Sequence, residues 1–303
     1  MKTANSLQHL AESFDQSMKD YYFGLMGPKG ENDFPYSSKY VHYFKPEILE
    51  TFISTMRADI LAAYQKGSGG ELEPKPNGVP PKFLSIASSS RFCYTALDVK
   101  SDTPKGCAAD FFALSGESIK EVLFEKELVI IPDAKRHPTI DAYACSKDTE
   151  YFFECKCHEM FQAHDNYLSS HYFAHPKDLI VKSIPKEYIK DGHRLDSRAF
   201  GLENTVFDTK QLLTHLMGIQ CNATKENRIL VYYYFFPCRD YISDSEVLTT
   251  LVRALNEAKV IFNSSIAREH CQKHGVRLML AVKHSGYDDP TSEANTTIIY
   301  QTE

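Results

Sequence analysis

The chemistry in this sequence centres on Glu154-Cys155-Lys156, which closes the aromatic run Tyr151-Phe152-Phe153, and on Asp141 upstream in "PTIDAYA". In an extended strand, side chains alternate between faces with period two. Glu154 and Lys156 then share one face, while Cys155 and Cys157 take the other. A hairpin returning the chain would set Asp141 beside Glu154. Two carboxylates and a lysine in such a cluster suit metal-assisted hydrolysis of a phosphodiester. The carboxylates suit Mg²⁺, a hard cation that prefers oxygen ligands and keeps several waters. Such a metal polarises the phosphoryl oxygen and lowers the pKa of bound water. The lysine would orient or help deprotonate that water, or offset charge in the transition state.

Each feature also has a plainer reading. A Glu-x-Lys pair on a strand is often a surface ion pair. The neighbouring Cys155, Cys157 and His158, with His270, Cys271 and His274, suggest a zinc-supported interaction domain instead. None of these pairs has the C-x₂₋₄-C spacing of structural zinc sites, so buried thiols are the better reading. Gln211 falls at N3 of a helix that Asp208 can cap, so a capping box explains it as well as a catalytic role does. Arg91, after Ser88-Ser89-Ser90, matches phosphate oxygens in chemistry and a turn or helix cap in position. The basic residues between Lys177 and Arg198 read as a nucleic-acid-facing rim or as a solvated face.

The elements that must position these residues follow from periodicity. Helices are expected over residues 5 to 26 and 46 to 65, where apolar residues recur at helical spacing and Pro46 suits a first helical position. The Gly- and Pro-rich stretch 67 to 81 reads as a linker or surface loop. Beyond it a helix is expected at 116 to 127, then short strands at 128 to 132, 139 to 145 and 150 to 157. A variable, partly helical region follows to about residue 200. The helix "FDTKQLLTHLMGI" comes next, with Phe207 and Leu212 as a hydrophobic staple. "RILVYYYFF" is apolar on both faces and reads as a buried central strand. One long helix from Asp244 to Gly275 and a final strand, "VRLMLAVKH", complete the pattern. This alternation indicates an α/β fold, a mixed sheet with helices on both faces.

Composition narrows the classes. The 303 residues are 43% hydrophobic and 24% charged, which suits a soluble chain with a sizeable core. A net charge of −6 argues against a globally basic nucleic-acid coat but not against a local basic groove. The eight cysteines form no regular framework and read as reduced thiols. No secretory h-region opens the sequence, and the longest apolar run is too short to span a membrane as a helix. A cytoplasmic protein without membrane contact is the expectation.

Pro138-Thr139-Ile140-Asp141, a spacer, and Glu154-Cys155-Lys156 resemble the D…E-x-K signature of the PD-(D/E)XK nuclease superfamily. The proline stands three positions before the aspartate instead of beside it. The stretches "PPKFLSIASSSRFCYTAL", "FEKEL", "FECKCHEMF" and "FDTKQLLTHLMGI" resemble those of bacterial restriction-endonuclease-like proteins of unassigned role, over roughly residues 65 to 301. The resemblance implies a restriction-endonuclease-like core at 82 to 303 with an N-terminal helical extension at 1 to 66. It implies Mg²⁺, or Mn²⁺, held by Asp141, Glu154, the backbone carbonyl of Cys155 and a helical glutamate, with Glu125 chosen over Glu117, Glu121 and Glu127. Lys156 would be the catalytic lysine, and Gln211 and Lys210 would reach toward the scissile phosphate. Members often carry Q-x-x-x-Y on this helix, whereas here His215 replaces the tyrosine. The implied partner is nucleic acid, DNA first, and the oligomer considered is a homodimer. A nuclease-like module that binds without cutting is the alternative.

Overall fold

The computed structural model describes residues 4–66, 70–97, 119, 121–162, 164, 166–283 and 296–302. Its centre is a six-stranded mixed sheet. In chain order the strands are β1 (Glu121–Glu127), β2 (Thr139–Cys145), β3 (Thr149–Lys156), β6 (Asn227–Phe235), β7 (Val276–Lys283) and β8 (Thr296–Gln301), and they stand side by side in that same order. The two-residue strands β4 (Ile189–Lys190) and β5 (Arg194–Leu195) form a separate small hairpin. β1, β2 and β3 are an antiparallel meander, β3, β6 and β7 run parallel, and β8 returns antiparallel. The central position of β3 explains its composition, since all eight of its residues are buried.

The helices are α1 (Ala4–Met26), α2 (Pro28–Glu31), α3 (Pro46–Thr55), α4 (Ala58–Lys66), α5 (Ser89–Leu97), α6 (Ser170–Ala174), α7 (Thr209–Asn222), α8 (Ser245–Phe262) and α9 (Ser265–His274). The crossover from β3 to β6 runs through α7, and that from β6 to β7 through α8 and α9. Both step the same way across the sheet, and right-handed crossovers then place these helices on one face. α5 packs on β2 and β3 from the opposite side, where Cys93 bonds Cys155. Gly218 is needed inside α7, because a Cβ there would stand 2.6 Å from Leu128 Cβ.

The N-terminal helices share the same core. α1 packs on α8 and on the turn Glu159–Phe161, where the Phe14 ring lies 5.3 Å from Phe161, and α4 packs on β1. Residues 70–81 follow the surface yet bury Glu71 and Leu72, and Glu71 accepts from Ser90 Oγ at 2.6 Å.

Several expected boundaries move. Residues 121–127 are a strand, not the end of a helix, because Val122 and Phe124 alternate into the core while the segment pairs with β2. Residues 116–118 and 120 lie outside the described residues. Residues 128–132 form the turn after β1 instead of a strand, with Leu128 N–H bonded to the Pro138 carbonyl. The helix expected at 46–65 breaks at Met56, whose backbone is extended. The long helix expected from Asp244 breaks at Asn263, and Ser264 caps a new one through Ala267 N–H. β7 is followed by a further strand, β8, that periodicity did not reveal.

Candidate active site

The register of the meander builds a row of acids. Phe124↔Ala142 and Lys126↔Ile140 flank Glu125, which therefore faces Asp141. The β2–β3 ladder ends at Ala142↔Phe153, one step before Asp141 would meet Glu154. Past that point the two strands part, and the Cys155 N–H donates to Asp141 Oδ2 at 2.6 Å. On the other side, Glu154 pairs with Tyr232 of β6. Glu125, Asp141, Glu154 and Tyr232 thus span four adjacent strands.

Lys156 and α7 complete the cluster. Lys156 Nζ donates to Glu154 Oε1 at 2.7 Å and to Gln211 Oε1 at 2.6 Å, and Gln211 Nε2 donates to the same Glu154 oxygen at 2.7 Å. Asp208 caps α7 by accepting from Gln211 N–H at 2.8 Å. The capping interpretation therefore holds for the Gln211 backbone, while its side chain belongs to the acid cluster. One turn on, His215 sets Nε2 3.6 Å from Glu154 Oε2 and 3.2 Å from the Thr139 carbonyl.

Electrostatics set the character of these groups. Burial, then Glu154 and Glu125, push the Asp141 carboxyl well above the usual carboxylate range. Burial, then Glu71 and Glu154, lift Glu125 to about 8. Burial alone would lower Lys156, but Glu154, Glu159 and Asp141 outweigh it, so the ammonium stays charged. Burial lowers His215, leaving a neutral imidazole near neutral pH. Glu154 Oε2 and Tyr232 OH are buried without a hydrogen-bond partner.

The donor set can be compared with what Mg²⁺ needs. Among the described residues, no three His, Cys, Asp or Glu side chains are gathered as a ready-made metal site. Glu154 Oε2 is nevertheless a free carboxylate oxygen within a cluster of mutually repelling acids. Mg²⁺ characteristically binds one or two carboxylates and keeps its waters, so the chemistry of these residues fits it.

Other expected site residues fall elsewhere. Arg91 is not the exposed phosphate contact expected of it: it is 3% exposed, and its guanidinium donates to the carbonyls of Phe83, Ser85 and Ile86, so it holds a turn. Glu125 stands on β1 and not on a helix. Glu127 pairs with Lys66 at 3.5 Å, and the side chains of Glu117 and Glu121 lie outside the described residues. Lys210 occupies the first turn of α7 beside Gln211, half-buried. Cys155 contributes its N–H to Asp141, and its side chain turns to Cys93. Cys157 Sγ donates to the Phe235 carbonyl, and burial pushes this thiol well up, so the sulfurs here are structural.

The basic segment partly neutralises itself. Lys190 and Arg198 both pair with Asp196 at 2.6 Å. Lys190, Arg194, Arg198 and Arg253 nonetheless line a cleft of about 730 Å³ that also takes in His164. His164 Nδ1 lies 3.4 Å from Asp208 Oδ2, so the cleft opens beside the α7 cap. His215 follows Gln211 by one helical turn, a signal present in the sequence. Tyr232 read as core until the β3–β6 register was known.

No family model matches this chain, and comparison with curated proteins and with solved structures gives no match either. Among the described residues no helix is long and apolar enough to cross a membrane. The fold itself is mixed α/β, with helices on both sides of a six-stranded sheet.

Proposed function

We propose that the chain is a metal-dependent phosphodiesterase acting on nucleic acid, DNA first, through a restriction-endonuclease-like core. The observation that carries this reading is the unpartnered Glu154 Oε2, set in a row with Asp141 and Glu125 and clamped by Lys156 and Gln211. Glu154 and Asp141, with Glu125 nearby, would hold Mg²⁺ or Mn²⁺, which when bound supplies Lewis-acid polarisation and a more acidic water. Lys156 remains charged, so its role is electrostatic: it orients a water and offsets negative charge on the phosphoryl group. Gln211 fixes Lys156 and Glu154 relative to each other. The cleft carries Arg194, and Arg253 that Glu257 pairs at 2.6 Å, among four basic and two acidic lining residues, a nearby surface of net positive charge along which a phosphate backbone would lie.

A second reading has its own support. Asp141 Oδ2 is engaged by the Cys155 N–H, which suits a module that binds nucleic acid without cutting. Incubation with linear, circular and single-stranded DNA, and with RNA, in Mg²⁺ or Mn²⁺ separates the two. Cleavage that needs the cation and falls at least about 100-fold in Glu154→Gln and Asp141→Asn supports the enzyme. Salt-sensitive binding without cleavage supports the module, and neither binding nor cleavage sinks both.

A further inference from the structure

His270 and His274 lie one turn apart on α9, far in sequence from the acid row and with no part in its chemistry. Their ring centroids are 4.5 Å apart, and both Nε2 atoms are buried without a hydrogen-bond partner. The other face of the His270 ring is fixed, because it bonds the Leu216 carbonyl of α7. With Nε2 unpartnered, Nδ1 makes that bond, and an Nδ1–H donor leaves Nε2 as a lone-pair acceptor. The same arrangement, one ring nitrogen held by a carbonyl and the other left open, orients histidines that ligate metals.

A third unpartnered atom lies close by in the fold. Gln220 is one turn past Leu216 on α7, and its Oε1 is also buried without a partner. Its amide donates to the Asp178 carbonyl at 3.1 Å, while the Asp178 carboxylate takes Lys273 Nζ of α9 at 2.6 Å. Asp178 thus ties α7 to α9 around the two imidazoles. Two histidines spaced i, i+4 on one helical face are a recurrent chelate for zinc. Cys271, between them, is buried, and as the residue next to His270 it lies about 100° round the helix from the histidine stripe.

We propose that His270 and His274 form a two-histidine site for a borderline divalent cation of the Zn²⁺ or Ni²⁺ type, with Gln220 Oε1 and water completing the coordination. Imidazole nitrogen suits such cations, whereas Mg²⁺ prefers the all-oxygen acid row, so the two sites differ in the ion they select. Burial, together with neighbouring His274 and Lys273, lowers His270 to about 4, and burial and Lys273 lower His274 as well. Both imidazoles are therefore neutral near pH 7, and no proton must leave before a metal binds. The Lys273–Asp178 pair is exposed, so it can part at little cost if the carboxylate is drawn to the ion.

The test is calorimetric titration of the chelator-stripped full chain with Zn²⁺, with Co²⁺ absorption reporting the ligand set. One equivalent should bind. His274→Ala, at a half-exposed position that tolerates truncation, should weaken binding by about tenfold or more, as should His270→Gln. Glu154→Gln should leave Zn²⁺ binding unchanged, which separates this site from the acid row. Absence of Zn²⁺ binding overturns the proposal. So does equal affinity in wild type and His274→Ala, or an equivalent that disappears with Glu154→Gln and persists with His274→Ala.

Discussion

Glu150 and Glu154 stand on one strand, on one face, and are equally buried at 2% and 3% exposure. Their surroundings differ. Glu150 accepts from Tyr143 OH and Thr224 Oγ1 on one oxygen, and from Thr224 N–H and Lys225 N–H on the other. Every bond there ties β2, β3 and the entry to β6 together, and no lone acceptor remains. Glu154 has one oxygen in a tight clamp and one with no partner, beside two further acids. A buried acid that is fully satisfied is structure, because desolvation has been offset bond by bond. One left half satisfied, among groups that repel it, is arranged for something not bound by the protein itself.

The largest effect that tests this contrast is Glu150→Ala. It orphans two hydroxyls and two backbone N–H groups, so urea unfolding should show a loss on the order of 4 kcal/mol. Glu154→Gln should cost less, since Gln keeps the shape and still accepts from Lys156 and Gln211, and losing the charge that faces the buried ammonium is offset in part by removing one member of the repelling row. Its expected effect is on cleavage, as proposed above. If Glu154→Gln destabilises as much as Glu150→Ala, both acids are structural and the contrast fails.

The same strand shows how much of the molecule its sequence discloses. Alternation and aromatic content marked β2 and β3, and placed the thiols and the Glu154–Lys156 pair on opposite faces, as found. The cap of α7 was readable because Asp208, Phe207 and Leu212 act over a single turn. Glu125 was singled out but its setting was not, because "EVLFEKE" is rich in good helix formers, and only pairing with β2 makes it a strand. The positive φ of Glu125, 49°, is likewise set by that tertiary environment and not by residue type. Arg91 misled for a related reason: serines before an arginine specify neither solvent nor core, and packing decided for the core.

A smaller effect separates the acid row by pH. Glu125, lifted to about 8, keeps its proton in the folded chain above its ordinary value of 4.5. The unfolded chain then binds fewer protons across that window, so stability falls as pH rises. Asp15, raised to about 6 by burial, acts with the same sign from 3.8 to about 6. His270, lowered to about 4, acts with the opposite sign up to 6.5. Between about 6.5 and 8 the decline should therefore report the acid row, Glu125 together with the Asp141 carboxyl that burial, Glu154 and Glu125 push up, at no more than about 1.4 kcal/mol per pH unit for each acid. Urea midpoints across that range should fall in the wild type and fall less steeply in Glu125→Gln and in Asp141→Asn. Excess Mg²⁺ should flatten the wild-type curve too if a cation neutralises the row. A slope that survives undiminished in both Glu125→Gln and Asp141→Asn would mean that the acid row is not what titrates.

The smallest effect concerns the support of the clamp. Asp208 holds the first turn of α7, and through it the backbone of Gln211, whose side chain grips both Glu154 and Lys156. Asp208→Ala removes the cap and should cost about 1 kcal/mol of stability. It also loosens the one helical residue that fixes the carboxylate and the ammonium together, so cleavage should drop more than the stability loss explains. Asp208→Asn keeps a capping oxygen and should restore both, although it gives up the charge beside His164. Equal activity in the Ala and Asn variants would show that Glu154 and Lys156 hold their geometry without α7, and that Gln211 is a bystander to the clamp.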